Sequence, residues 1–445
     1  MERTHGVWLQ RTLIVALGVI LVLLPLHGFI STWGGTTIGP LPIWKSWKEL
    51  LLLAMLPLLF AYCHARPEVA KRVSSSWLTR LVLLYVLINL GFAALSPASP
   101  AAVAAGLLMN LRFVAILLLA MVVAAANDGW MDKVKKWLEP WLFMTTIVLA
   151  LLAIAQVTVL PKDFLVQFGY DTNTTIAPYV LVDDNTDALR AFSTMRGPNP
   201  LGAYLILPLI LAALAMWREP RNMLAGLALG LGTAGLVMTS SRSAWLGVLV
   251  ALLVLIALSE PFKKLLTGMA WLLVPVVSLG FIFLWVAANV PSLRLAVFHS
   301  STGDLSLTEG SINAHFRATT DGIVDALNHP LGQGVGTSGP ATAYNTATEP
   351  RMPENYFVQL AQEVGFIGLA LFVAICSVLS YKLWLRRRET WPRVLLASFV
   401  GLMVVNLFLH GWSDDPTAMT WWAIAGLFVF AQPKADTKDK AKEIT

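Results

Sequence analysis

Apolar residues fall along the chain in blocks long enough to cross a bilayer, separated by short stretches that hold most of the charge, Pro and Gly. A membrane span needs about 20 such residues. Reading for blocks bounded by charge, Pro or Gly predicts twelve helices: Thr12 to Leu26, Trp47 to Cys63, Trp77 to Leu95, Ala101 to Ala126, Trp137 to Leu160, Leu201 to Trp217, Met223 to Thr239, Ala244 to Leu258, Leu265 to Val290, Tyr356 to Leu379, Val394 to His410 and Thr417 to Phe430. The first block resembles a signal peptide in length, but no small-residue cleavage site follows it, so it is expected to stay as the first span.

The positions of Lys and Arg test that count, because retained basic residues collect on cytoplasmic loops. Of the 32 basic residues, 22 fall on alternate connections and at both termini, nine fall on the other side, and Arg112 alone lies deep within a block. An invented or missed span would scramble this alternation in every later loop. Both termini are therefore expected to be cytoplasmic. The segment after Pro433 is rich in Lys, Asp and Glu and reads as a disordered tail, so residues 1–433 form one polytopic domain and 434–445 an appendix.

The outward side has two long connections, 161–200 and 291–353. Long loops concentrate function. Within the second, Ile312, Phe316, Ile323 and Leu327 share one helical face while Arg317 and Asp321 pair on another, which predicts an amphipathic helix ending at Asn328-His329-Pro330. No internal repeat suggests an inverted-repeat transporter.

Composition sharpens the class. Among 445 residues 57% are hydrophobic and 13% charged, and the mean hydropathy is +0.68. An average soluble domain carries roughly 25% charge, so the fold class is all-α integral membrane. The net charge of +6 is explained by loop topology and needs no nucleic-acid partner. Cys63 and Cys376 both lie in apolar blocks and give no disulfide or metal spacing.

Outward arginines need another reason than topology. Arg196 stands in FSTMRGPNPLG just before a span, and Arg242 in TSSRSAWLG at a tight turn. A guanidinium fork beside a helix N-terminus suits a diphosphate, whereas a single Arg also snorkels to lipid phosphate or pairs with a loop carboxylate. Arg112, near Asn110, either pairs with an acid elsewhere in the bundle or faces a substrate cavity. The stretch His329-Pro330-Leu331-Gly332-Gln333-Gly334-Val335-Gly336 lacks the P-loop Lys, so its glycines are assigned to tight backbone packing. His299, His315 and His329 have no metal-type spacing, and His329 alone reads as a capping histidine. Asp414-Asp415 reads as a solvated helix-start pair. Asn355, Gln359 and Glu363 recur at one-turn spacing and predict a polar stripe running inward from the outward mouth, with Glu354 the best-placed general base.

Together, the PNPLGAYL stretch, the SSRSAWLG turn, the long outward loop ending HPL-x-G-x-G and the closing ENYFVQLAQEVGFIGLALF helix resemble the O-antigen ligase and O-antigen polymerase superfamily, over roughly Phe192 to Phe372. The resemblance implies a GT-C-like helical bundle acting as a membrane glycosyltransferase on a polyprenyl-diphosphate-linked glycan donor. The acceptor would be lipid A–core or a growing glycan, in contact with membrane lipids, without cofactor, metal or nucleotide sugar. It implies diphosphate binding by Arg196, Arg242 and Arg317, with Arg317 and Glu354 catalytic, and makes Asn199, Asn355, Tyr356, His329 and Arg112 candidate contacts of donor or acceptor. Many ligases of this family have His-Asn where this chain has Glu354-Asn355. Glutamate serves there as a base if an apolar mouth raises its pKa toward neutrality, and the change weighs toward a polymerase over a lipid A–core ligase. A secondary transporter or flippase is the alternative from a different class.

Overall fold

The structure, a computed structural model, describes residues 2–126, 130–182, 185–259 and 311–430. Among them the chain forms fifteen α-helices. In chain order they are α1 Glu2–Leu23, α2 His27–Thr37, α3 Leu41–Lys45, α4 Trp47–Ala65, α5 Pro67–Ser74, α6 Trp77–Ala94, α7 Pro100–Ala125, α8 Met131–Thr158, α9 Pro198–Arg218, α10 Met223–Met238, α11 Arg242–Ala257, α12 Ser311–Asn328, α13 Tyr356–Leu385, α14 Thr390–Asn406 and α15 Asp415–Phe430. One hairpin interrupts the helical pattern: β1 Val180–Val182 pairs antiparallel with β2 Asn185–Arg190 inside the 161–200 connection. Apolar periodicity did not signal this hairpin, because β1 is only the three residues Val180-Leu181-Val182 and β2 is largely polar.

Seven helical stretches are at least 18 residues long and apolar enough to cross a membrane: Gly6–Thr37, Trp47–Ala65, Trp77–Ala94, Pro100–Ala125, Asp132–Thr158, Pro198–Arg218 and Tyr356–Leu385. Met223–Met238, Arg242–Ala257 and Thr390–Asn406 are apolar but shorter. The expected ninth span, Leu265 to Val290, lies outside the described residues, as do residues 434–445. The first span is longer than expected. Its expected end, Leu26, closes a 3-10 turn over Leu24–Leu26 that contains Pro25, after which α2 continues. A proline in the first turn costs no hydrogen bond, so it redirects the helix without stopping it.

Successive long helices run alternately between two ends of the bundle. One end holds the 161–200 connection, α12 and the 330–353 segment; we call it the loop-bearing end. At the other, basic side chains close helix C-termini: Arg72 donates to Ala125 O (2.8 Å) and Phe430 O (3.0 Å), and Arg386 donates to Phe428 O. Orphan carbonyls of a last turn are natural partners for a guanidinium.

The core is centred on α7, α9 and α15. Trp412, Trp421 and Trp422 are buried and pack at 5.4–5.6 Å with one another, Trp422 edge-on to the other two and Trp412 tilted against Trp421. Small residues allow close crossings: a Cβ on Gly247 of α11 would lie 2.9 Å from Gly401 O of α14. In contrast, Leu83, Leu87 and Leu90 of α6 and Leu53 and Leu56 of α4 are exposed. An exposed apolar face on a long helix suits lipid contact.

Candidate functional site

Three helix N-termini meet at the loop-bearing end. A Cβ on Gly202, in the first turns of α9, would lie 2.7 Å from Ala244 Cβ and 3.2 Å from Ser241 Cβ at the start of α11. Thr417 Oγ1, in the first turn of α15, donates to Pro200 O at 3.5 Å. Each helix start leaves backbone N–H groups without intrahelical partners and carries partial positive charge. Arg190, at the end of β2, ties two of them together. Its Nε donates to Thr239 O (3.0 Å) and its Nη2 to Asn199 Oδ1 (2.9 Å). Arg242 is the first residue of α11 and half-buried; Arg196 is exposed, 3.7 Å from Asp414 Oδ1. The structure therefore brings Arg190, Arg196, Asn199 and Arg242 to one neighbourhood.

Glu354 occupies the turn before α13. Its Oε2 lies 3.3 Å from His315 Nδ1 of α12, and the imidazole holds the carboxyl below the usual carboxylate range against the opposing effect of partial burial, with His410 adding to the lowering. This departs from the expectation of an apolar mouth raising the value. A histidine from α12, which the sequence showed only as an unlikely metal ligand, outweighs desolvation. Asn355 is the N-cap of α13: its Oδ1 accepts from Phe357 N (2.9 Å) and Val358 N (3.1 Å), and its Nδ2 donates to Leu407 O (2.9 Å). Both Asn355 and Tyr356 are thus structural in placement, Tyr356 fully buried with its ring edge-on to Phe372 at 5.4 Å.

The amphipathic helix forms as expected. Thr319 Oγ1 donates to Pro353 O (2.9 Å), and Gly322 approaches Pro353 and Val358 closely, which defines the face turned to α13. Two residues from Thr319 is about 200° around the helix, so exposed Arg317 lies on the other side, beside exposed Phe316, Val324 and Leu327. The structure does not bring Arg317 against Arg196 or Arg242. His329 closes α12, its Nδ1 3.2 Å from Asp325 Oδ1, which fits the capping reading.

Backbone strain singles out the same motifs. Among the described residues, only three non-glycine residues have positive φ: Ser193 (53°), Ser240 (50°) and Glu354 (53°). They fall three residues before Arg196, two before Arg242 and at the candidate base itself. Left-handed conformations in such residues cost about 1–2 kcal/mol each and persist where surrounding structure over-determines them, often at functional sites.

The glycine loop packs into a break in α13. Val364 and Gly365 leave helical geometry, Gly365 at φ 67° and ψ −178°. Pro330–Gly336 fills the gap: Gln333 N donates to Gln362 O (2.7 Å), Gly334 N to Glu363 O (3.0 Å) and Phe366 N to Pro330 O (3.0 Å). A Cβ on Gly365 would lie 2.6 Å from Leu331 C, so only glycine fits. The polar stripe exists, but it is consumed internally. Glu363 is fully buried and accepts from Gly336 N (2.7 Å) and Asn110 Nδ2 (2.9 Å), while Gln362 Nε2 donates to Asp325 Oδ2 (2.7 Å).

Arg112 resolves toward the structural pair. Buried within α7, it pairs with Glu49 (3.3 Å) and Asp415 and donates to Ser413 O. Lys48 Nζ lies 3.0 Å from Glu49 Oε2 and 2.8 Å from Asp415 Oδ2, and His27 Nε2 lies 2.9 Å from Asp415 Oδ2. The expectation that Asp414-Asp415 is solvated is overturned: both are buried, Asp415 inside this network and Asp414 beneath Arg196. No local spacing signals it, because the partners come from four separate helices.

The 407–414 connection joins the two halves of the site, receiving Asn355 at Leu407 and presenting Asp414 to Arg196. Among the described residues no group of three or more His, Cys, Asp or Glu side chains converges as metal ligands would. Sequence reasoning missed Arg190 and His315 as site residues, although both lie in the long connections.

Residues 225–373 match the O-antigen ligase family. That segment runs from the start of α10 into α13 and includes Arg242, α12, the glycine loop and Glu354, while Arg190, Arg196 and Asn199 precede it. No curated protein matches the chain.

Proposed function

We propose that this chain, which carries an O-antigen ligase segment over residues 225–373, is a membrane glycosyltransferase that moves a glycan from a polyprenyl-diphosphate donor to a hydroxyl of lipid A–core or of a growing glycan. The loop-bearing end is outward, on the periplasmic face of the bacterial inner membrane, and both termini are cytoplasmic. The observation that carries the reading is the coincidence of strained Ser193, Ser240 and Glu354 with the two arginine turns and the carboxylate.

The donor diphosphate sits at the N-termini of α9 and α11, held by Arg196 and Arg242, with Arg190 fixing Asn199 beneath it. Preorganised donors aimed at a leaving group stabilise charge as it develops. Glu354 takes the proton of the acceptor hydroxyl, whose oxygen forms the new bond to the anomeric carbon as the bond to the diphosphate oxygen breaks. The leaving diphosphate keeps the electron pair, and attack from the opposite face inverts the centre. Arg317, exposed on α12 away from these two arginines, is the third guanidinium assigned to the donor.

Glutamate in place of the family histidine favours polymerisation as the second reading. Deleting the gene in its host and separating polyprenyl-linked from surface-attached glycan decides between them. Long polymer stranded on the polyprenyl carrier marks a ligase, single repeat units mark a polymerase, and unchanged glycans on both carriers would falsify both.

A further inference from the structure

The end of the bundle opposite Glu354 carries a groove of about 580 Å³ between α5, α6, α13 and α15. Two cations, Arg72 and Lys382, line it, and among the described residues no carboxylate does. Arg72 is fixed by its bonds to Ala125 O and Phe430 O, so its charge is held in place at the groove wall. Lys382 Nζ lies over the Phe430 ring at 5.4 Å, and no salt bridge joins it to a carboxylate among the described residues. Ser76 adds a hydroxyl whose Oγ is buried without a hydrogen-bond partner among the described residues. Trp77 and Tyr381, 70% and 61% exposed, flank the opening, with Arg80 stacked over Trp77 at 5.2 Å.

We infer that this groove binds the headgroup phosphate of an anionic glycerophospholipid. A phosphate takes charge-assisted hydrogen bonds from Lys and Arg and accepts from a hydroxyl. Exposed Trp and Tyr at the ends of apolar helices mark the headgroup level of a bilayer, and basic grooves between spans select anionic lipids there. Leu385 and Val429 stand at the helix ends beside the opening, and Val378, about two turns further into α13, gives the apolar wall along which an acyl chain would lie. A zwitterionic lipid would bring an ammonium group toward two cations and gains less.

The test equilibrates the full-length purified chain with equimolar phosphatidylglycerol and phosphatidylcholine and counts retained lipid by native mass spectrometry. One phosphatidylglycerol is expected to be retained in preference, and Lys382→Gln to lower that retention about fivefold, the loss expected for one basic residue near a membrane surface, with phosphatidylcholine unchanged. Because Arg72 also ties α7 to α15, it is left intact. As a second measurement, brominated phosphatidylglycerol should quench the wild type more than Trp77→Phe, and brominated phosphatidylcholine should not discriminate them. Equal retention of the two lipids, full retention by Lys382→Gln, or displacement by millimolar inorganic phosphate overturns the assignment to a lipid headgroup.

Discussion

Glu354 combines two properties that pull in different directions. Its φ of 53° is strained, and its carboxyl is held low by His315. A base works only while ionised, so activity should persist as pH falls until it drops through the lowered value. Removing the imidazole in His315→Ala takes away the largest lowering cause and leaves burial, which raises. The acid limb of the pH–rate profile should therefore move to higher pH, and an unmoved limb would separate Glu354 from the chemistry. Glu354→Gln should abolish transfer with the protein still folded. The strain predicts a further contrast: Glu354→Gly should be about 1 kcal/mol more stable than Glu354→Ala by thermal unfolding, because glycine alone adopts positive φ without penalty, with both variants inactive. At this scale the sequence singled out the turns of Glu354, Arg196 and Arg242, which in the structure hold the positive-φ residues Ser193, Ser240 and Glu354. Neither the strain nor His315 was visible, since one is a backbone conformation and the other a contact across some forty residues.

For whole elements, apolar periodicity located what local chemistry controls. The block expected at Ala101 to Ala126 is α7, Pro100–Ala125, with Pro at the start where it costs nothing. The break in α13 was hidden, because a run such as Gln359 to Gly368 reads as continuous helix until the loop from Pro330 to Gly336 is placed against it. Gly365→Ala should then lose at least about 3 kcal/mol of stability or fail to accumulate, since it meets both a glycine-only backbone region and Leu331. Gly230 in α10 is a control: a Cβ there meets nothing within 4 Å. Gly230→Ala should be neutral or slightly stabilising. Comparable yields of the two variants in membranes would mean that the loop does not need its seat in α13.

Over the whole molecule, the buried ions join parts of the chain that local reading keeps separate. Lys48 and Arg112 balance Glu49 and Asp415, with His27 beside them, so α2, α4, α7 and α15 share one electrostatic centre below the loop-bearing end. Breaking a buried pair by removing one partner costs about 3–5 kcal/mol, because the remaining charge is left uncompensated. Arg112→Met should therefore cut the yield of folded protein sharply, and Glu49→Gln in the same chain should recover part of it by restoring neutrality. Yields that fall further in the double variant would refute the balance. The sequence left Arg112 between an acid partner and a substrate cavity and could not name the acid, because Asp415 stood in a stretch that looked solvated.

The distance along the chain between these partners also sets a schedule. Asp415 follows Arg112 by 303 residues, which at about 5–20 residues per second of synthesis is roughly 15–60 s. For that interval the nascent bundle holds two buried cations against Glu49 alone, and α7 lacks the tryptophan-rich helix that covers it. Completion of the last helix is thus the event that neutralises the centre, and chains released before it carry a mark of their own incompleteness that membrane quality control can read.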